Sequence, residues 1–369
     1  MPQDVDRYQA LTAVQHVLKR TSIYAGDCVT KESEQHVYEP SSSTIATQTV
    51  KTNDGLFKLF QEALDNAVDN TLRDPPTQTI RVRMDATSFE IGNDGCHVPV
   101  QQKQKNGEWI PSSIFFKMFS GSNFDDDAGR EGAGVNGVGI KLAAILSTRF
   151  QVDCVDPIAL LHFTQVCHTN MSTIEEPKII QVRKKDLKKG FLTTRLKFTP
   201  DMARFEGMDD LTSMIPLVQT RLIQLSATLG GKVKFFMNDE VVPVKSFKQY
   251  VGLFPLEKTY FESVSPNFEY GFGLSDGGEF KHQSFCNNLR NKDGGSHTTV
   301  VTNQICDALV DYMNQKHKKS GASLSRNSIK QKLFVFVNVR IRNPEFRSQV
   351  SAVHLCLEFY SVGALTCFY

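Results

Sequence analysis

Apolar residues return at helical spacing through GLFKLFQEALDNAVDNTL, where Leu56, Leu59, Phe60, Ala63, Leu64, Ala67 and Val68 share one stripe. That period predicts one long amphipathic helix. The next segment, TIRVRMDATSFEIGNDG, alternates apolar and polar positions and predicts a β-hairpin that closes on a turn. PSSIFFKMFSGSNFDDDAGREGAGVNGVGIKLAAILS then reads as a short helix, a glycine-rich loop and a second helix. Beyond it, LTTRLKFTP, DLTSMIPLVQTRLIQLSATL and KVKFFMND read as strand, helix and strand. Upstream, the polar, Ser/Thr-rich residues 27–54 read as a surface loop or short hairpin outside the core.

From about Ser246 the pattern starts again with FEYGFGLS and EFKHQSFCNN, a helix over about 298–316, another near 323–331 and the strand KLFVFVNVRI. The restart marks a second α/β unit, and the class is α+β with mixed sheets. A chain of 369 residues with 40% apolar and 22% charged residues has material for two cores. After Gln349 the character changes, and residues 350–369, VSAVHLCLEFYSVGALTCFY, form an apolar string with no partner element behind it.

Composition narrows the chemistry. The eight cysteines are scattered, with no CxxC pair and no Cys/His spacing suited to zinc, so they read as reduced intracellular thiols. A net charge of +2 gives no whole-molecule attraction to nucleic acid. Any DNA contact has to come from local runs, RKKDLKKG at 183–190 or QKHKKSG at 315–321, and each of these also suits a solvated loop. The N-terminus has no signal-peptide or transit-peptide character and no window reaches membrane-spanning length, which leaves cytosol, nucleus or an organelle matrix.

Three constellations can carry chemistry. Glu62, Asn66, Asp69, Asn70 and Arg73 fall at spacings of three and four on one helix stripe. Such a stripe is either a solvated face or a pair in which Glu62 polarises water and Asn66 offers an oxygen to a hard cation such as Mg²⁺. GNDG at 92–95 holds Asp94 in a glycine-flanked turn, where it serves turn chemistry or accepts a hydrogen bond from the amine of a base. GAGVNGVGIK, with Gly132, Gly134, Gly137 and Gly139 ahead of an apolar helix, either cradles an anion with Lys141 adding a charge or is a surface loop. It has neither the Walker order nor a preceding strand.

Taken in order, these motifs resemble the GHKL nucleotide-binding fold, and more closely the ATPase region of eukaryotic-type DNA topoisomerase II. The resemblance is carried by AVQHVLKRTSIYAG, FQEALDNAVDN, FSGSNFDDD, GAGVNGVGIK, VVPVKSFKQYV, SFCNNLRNKDGGSHTTVVTNQI and FVFVNVRIRNPEFRSQ, and spans about residues 7 to 349. It implies a GHKL (Bergerat) ATPase α/β sandwich over 27–245, preceded by a dimerisation arm. A transducer domain of the ribosomal S5 domain 2-like fold follows over 246–349. On the family pattern Glu62 is the general base and Asn66 holds Mg²⁺. Asp94 reads the adenine amine with Thr194 in support. Asn70, Arg73, Ser122, Asn123, Asn136, Gly137, Val138, Gly139 and Lys141 surround ribose and phosphates. Tyr8 reaches the partner subunit's site, and Gln349 reaches the γ-phosphate. Lys316, Lys318 and Lys319 meet the DNA in transit. The implied cofactors are ATP and Mg²⁺, the implied partners double-stranded DNA and a second copy of the chain, and the implied compartment the nucleus or, alternatively, the mitochondrion.

The chain departs from the family at His97, which replaces a glycine in DGCHVP, and at Val135, which stands where an arginine is common. At the end, Gln349 is followed by Val350 and Ser351 in place of the family's Thr-Lys, so the lysine that senses hydrolysis is missing and slow turnover is expected. Because a splice donor translated in frame reads Val-Ser, residues 350–369 are expected to be intron readthrough or an isoform-specific tail. An ATPase of the chaperone or mismatch-repair type and an inactive dimerisation module are the alternatives.

Overall fold

The computed structural model of the protein describes residues 10–103, 105–120, 137–188, 190–316, 324–341, 345–348 and 351–354. Helices α1 (Ala13–Lys19) and α2 (Thr21–Ala25) lead into the hairpin β1 (Lys31–Glu39) and β2 (Thr44–Thr52). Then follow α3 (Asp54–Asp69), β3 (Thr79–Met84), β4 (Phe89–Asn93), α4 (Ile110–Phe116) and α5 (Gly139–Ile145). The first unit continues through β5 (Ser147–Asp156), β6 (Leu161–His168), β7 (Thr173–Ile174), β8 (Lys178–Gln181), β9 (Thr194–Pro200), α6 (Ile215–Thr228), β10 (Lys234–Met237) and β11 (Glu240–Val241). The second comprises α7 (Phe247–Val251), β12 (Thr259–Ser265), β13 (Phe268–Leu274), β14 (Lys281–Cys286), β15 (Leu289–Arg290), α8 (Ser296–Lys316), α9 (Arg326–Lys330) and β16 (Leu333–Val339). Strand β17 (Glu345–Ser348) pairs antiparallel with β18 (Ser351–His354).

Among the described residues a nine-stranded sheet runs β11-β10-β3-β4-β9-β5-β6-β7, with β8 also on β6. Its pairs are antiparallel except β10 with β3. Helix α3 starts where Asn53 caps it, Oδ1 accepting the Leu56 N–H at 3.0 Å. All seven apolar stripe residues of α3 are buried against the sheet. The contact is aromatic at its centre: Phe60 lies 5.4 Å from Phe89 and Phe89 5.3 Å from Phe198, with Phe150 6.2 Å beyond. Such ring pairs add to the apolar area they bury.

Two expectations change. Residues 27–54 are not wholly outside the core. The β1–β2 hairpin pairs without a slip from Lys31↔Thr52 to Glu39↔Thr44, and it buries Val37, Tyr38 and Ile45. Its Tyr38 N–H donates to Thr220 Oγ1 on α6 at 2.8 Å, which draws the hairpin's end inward. Strands β5 and β6, which the pattern did not name, send Phe150, Val152 and Cys154, and Phe163 and Cys167, into the core.

The second sheet, β12-β13-β16-β14-β15, is mixed, with β14 parallel to β16. Strand β16 is buried along its whole length. Val335, Val337 and Val339 pack with Val301 and Ile305 of α8. Phe334 and Phe336 point the other way and join the core of the first unit through Phe254, at 5.1 and 4.9 Å. The two units therefore share a continuous apolar core. The six described cysteines form no disulfide. Among the described residues no helix is long and apolar enough to cross a membrane.

Phe89 is fully buried between Phe60 and Phe198. Phe89→Ala is expected to lower unfolding free energy by about 3–5 kcal/mol, read by chemical denaturation; a loss under ~1 kcal/mol would show that the stack is not the centre of the core.

Candidate active site

The polar face of α3 lies between α5 and the turn that follows β4. Glu62 is 19% exposed, and its Oε1 makes an ion pair with Lys58 one turn earlier. Its other oxygen lies against the first residue of α5: a Cβ built on Gly139 would stand 1.7 Å from Oε2. Gly139 is thus the residue that lets α5 approach the carboxylate. One turn on, Asn66 is exposed, and its Nδ2 donates to the Glu62 carbonyl at 2.8 Å. That bond uses the amide's donor end and leaves Oδ1, the end a cation ligand needs, outside it. No cluster of three or more His, Cys, Asp or Glu suited to a metal occurs among the described residues.

Asp94 sits in the turn after β4. Its Oδ1 accepts the N–H groups of Gln78 and Thr79 at 2.7 and 2.8 Å, which fixes the carboxylate against the start of β3. Its carbonyl accepts from Thr77 Oγ1 at 2.7 Å. Gly95 follows with φ +93°, and a Cβ there would meet the Thr77 backbone N at 2.6 Å, so glycine is required on both counts. Asn70 donates from Nδ2 to the carbonyls of Asp94 (3.4 Å) and Cys96 (2.9 Å), so this amide braces the turn from α3. Arg73 is exposed just past the helix. Thr194 opens β9 opposite Asn93, beside the turn.

Lys141, on α5, is 2% exposed, and its Nζ donates to the Ser120 carbonyl at 2.6 Å. Burial pushes its ammonium down to about 8. Gly137 takes φ +60° ahead of α5, and Val138 packs partly against the core. His97, the departure from the family glycine, has its Nε2 3.4 Å from Oδ1 of Asp156, the last residue of β5. Asp156 is already held by the N–H groups of Val100, Ile158 and Ala159. The extra side chain is accommodated by this neighbour.

Glu62, Asn66, Asn70, Asp94, Thr194, Gly137, Val138, Gly139 and Lys141 therefore come from four separate stretches onto one side of the molecule around α3. Tyr8, Ser122, Asn123, Asn136, Lys318, Lys319 and Gln349 lie outside the described residues, as does Val135. Lys316 ends α8, exposed, with Nζ 3.3 Å from Tyr312 Oη. Sequence reasoning did not single out Lys58, although its i, i+4 spacing to Glu62 is a readable signal. Nor did it find Thr77 or the His97–Asp156 contact, which have none.

A mixed sheet covered by α3, α5 and α6, with an acid/amide helix and an N-D-G turn at the end of the interior strand β4, defines an ATPase of the type shared by histidine kinases, DNA gyrase B and HSP90. The model of that family, described as histidine kinase-, DNA gyrase B-, and HSP90-like ATPase, matches residues 51–158, and one described as DNA gyrase B matches residues 236–352. The ATPase and transducer domains of DNA topoisomerase II from Balamuthia mandrillaris superpose with a TM-score of 0.86 at 31% identity, covering 96% of this chain and 89% of that one. For the ATPase region of Saccharomyces cerevisiae topoisomerase II the values are 0.81, 32%, 95% and 90%. DNA topoisomerase 2 of Candida glabrata is 32% identical over 367 residues, 93% of this chain and 25% of that protein. The chain belongs to the family of DNA topoisomerase II ATPase and transducer regions. It spans about a quarter of the length of the curated relatives it matches.

Gly139→Ala forces the Glu62 carboxylate aside, and the flexible end of a side chain yields more easily than backbone. The variant is expected to stay folded, with a melting temperature within about 5 °C of the parent, while a crystal structure shows Glu62 displaced. An unmoved carboxylate would refute the close approach.

Proposed function

We propose that this chain binds Mg-ATP beside α3 and hydrolyses it with Glu62 as general base. Nucleotide-driven closure of a homodimer would then power the passage of one DNA duplex through another in a DNA topoisomerase II reaction. The observation that carries this reading is the pairing on α3: a carboxylate paired with Lys58 and closely approached by Gly139, with a carboxamide one turn on whose donor end is bonded to the Glu62 carbonyl.

In this reading Glu62 takes a proton from the attacking water, and Lys58 keeps the carboxylate in one orientation. Asn66 offers Oδ1 to Mg²⁺, which when bound neutralises phosphate charge. A single protein oxygen is enough, since Mg²⁺ in nucleotide sites keeps waters and phosphate oxygens as its other ligands. Asp94, with Oδ1 tied to β3, has Oδ2 to accept the exocyclic amine of adenine, and Thr194 stands beside it. Asn70 contributes by holding that turn. Arg73, Ser122, Asn123, Asn136, Gly137, Val138, Gly139 and Lys141 surround ribose and phosphates. Positioning and charge stabilisation, rather than covalent chemistry, lower the barrier. Tyr8 reaches the partner subunit, Gln349 the γ-phosphate, and Lys316, Lys318 and Lys319 the DNA. A DNA substrate makes the nucleus the proposed compartment, with the mitochondrion as alternative.

Glu62→Ala is expected to abolish Mg-ATP turnover while leaving ATP binding within about threefold of the parent, since binding and proton abstraction are separate contributions. Turnover by the parent is expected to be slow, because Val350 and Ser351 supply no cation after Gln349. Lost binding in the variant would remove Glu62 from the role of base.

Lys141 provides a second check. Phosphate favours its protonated form, so below pH 8 binding needs no added proton, whereas above it a proton must be taken up. ATP affinity is expected to fall up to about tenfold per pH unit above pH 8, and Lys141→Met to bind weakly with a flat profile. A parent profile equally flat from pH 7 to 9.5 would dissociate Lys141 from the phosphates.

A further inference from the structure

Helix α6 joins the helix that carries Glu62 to the second sheet through one side chain. Arg221 is 4% exposed, and its guanidinium reaches in two directions. Nη2 lies 3.4 Å from Asp65 Oδ1, on α3 one turn after Glu62. Nη1 donates to the backbone carbonyl of Asn288 at 3.0 Å. Asn288 belongs to the two-residue turn between β14 and β15, where Asn287 and Asn288 hold φ of 47° and 66°, the left-handed pair such a turn demands.

The line continues beyond the turn. Asn287 clasps the backbone of Ile341 from both ends of its amide: Nδ2 donates to the Ile341 carbonyl and Oδ1 accepts the Ile341 N–H, each at 2.8 Å. Ile341 follows β16 and precedes, by a few residues of chain, the stretch containing Gln349. A second grip on α6 comes from β16 and the residue after it, since the Thr228 carbonyl at the helix end accepts from Asn338 Nδ2 at 3.5 Å and from Arg340. Arg221 Nε has no partner among the described residues. Buried ion pairs are often replaced by apolar packing without loss of stability. What the planar, two-pronged guanidinium supplies here is direction, because it holds two groups at a set angle.

We infer that Arg221 is a positioning residue through which the Asn287–Asn288 turn of the second sheet sets the orientation of the helix bearing Glu62. This rests on the reading of Glu62 as the base. The second unit thereby acts on the water-activating carboxylate without touching nucleotide. Coupling of this kind travels through contiguous contacts with defined geometry, and it is demonstrated by non-additivity rather than by proximity.

The test uses the full chain with Arg221→Lys, Asp65→Asn, Asn287→Gly and the double variant Asp65→Asn/Asn287→Gly. Glycine at 287 keeps the turn's φ while removing both bonds to Ile341. Each single variant is expected to lower kcat for Mg-ATP by roughly tenfold with KM within about twofold, the scale of couplings through such networks. The double variant is expected to be no slower than the worse single. Hydrogen exchange is expected to quicken at α3 amides around residues 62–66 in Asn287→Gly, with β4 amides unchanged. Multiplying losses in the double variant, a change confined to KM, or unaltered α3 exchange would each overturn the proposal. A parent chain with no Glu62-dependent turnover would defeat the reading of the base instead, and the exchange experiment then decides the relay by itself.

Discussion

The 3.6-residue period of α3 sets the constraint on which the rest depends. Seven apolar residues must enter the core on one side, and the same turn of helix leaves Glu62 and Asn66 on the other. The aromatic stack from Phe60 through Phe89 and Phe198 to Phe150 holds α3 at one height and rotation above the sheet. A helix pinned by large rings cannot turn to relieve strain on its polar face. The surroundings adjust instead: α5 begins with the residue that has no Cβ, and the β4 turn bends back under Asn70.

Charge is handled by the same rigid frame. Lys141 is buried with the Ser120 carbonyl accepting its hydrogen bond, and that environment lowers its ammonium's proton affinity. Desolvation is the cause, because a buried ammonium loses the water that would stabilise its charge. Arg221 is likewise buried, but its charge faces Asp65, and burial together with Asp69 and Glu62 raises that carboxyl against the pull of Arg221. The first group faces a carbonyl and the second a carboxylate, and only the packing around them distinguishes the two.

Strand β16 makes the two sheets one mechanical body. Alternation along it sends valines to α8 and phenylalanines to Phe254, so neither unit can shift without opening a shared core. Against that background α6 becomes a strut, gripped at Arg221 and at Thr228.

Periodicity alone was enough for the long helix, the β3–β4 hairpin, the restart after Ser246 and strand β16, because those elements bury one face or both and the pattern of burial is written in residue order. Motif order was enough to bring Glu62, Asn66, Asp94 and Lys141 into one expected site. The sequence could not show that Val37, Tyr38 and Ile45 of a polar-looking stretch enter the core, since a hydrogen bond from Tyr38 to Thr220 draws them there. It could not show that His97 meets Asp156, that Gly139 lies on Glu62, or that Arg221 joins Asp65 to Asn288. What the sequence by itself determined is the make-up of those periodic elements, and hence which of their side chains share a face; this depends on neighbours a few positions apart. Only the tertiary structure decided which distant groups meet, because such contacts are set by how faces stack and by short hydrogen bonds, whose partners are chosen by closure of the whole core rather than by spacing along the chain.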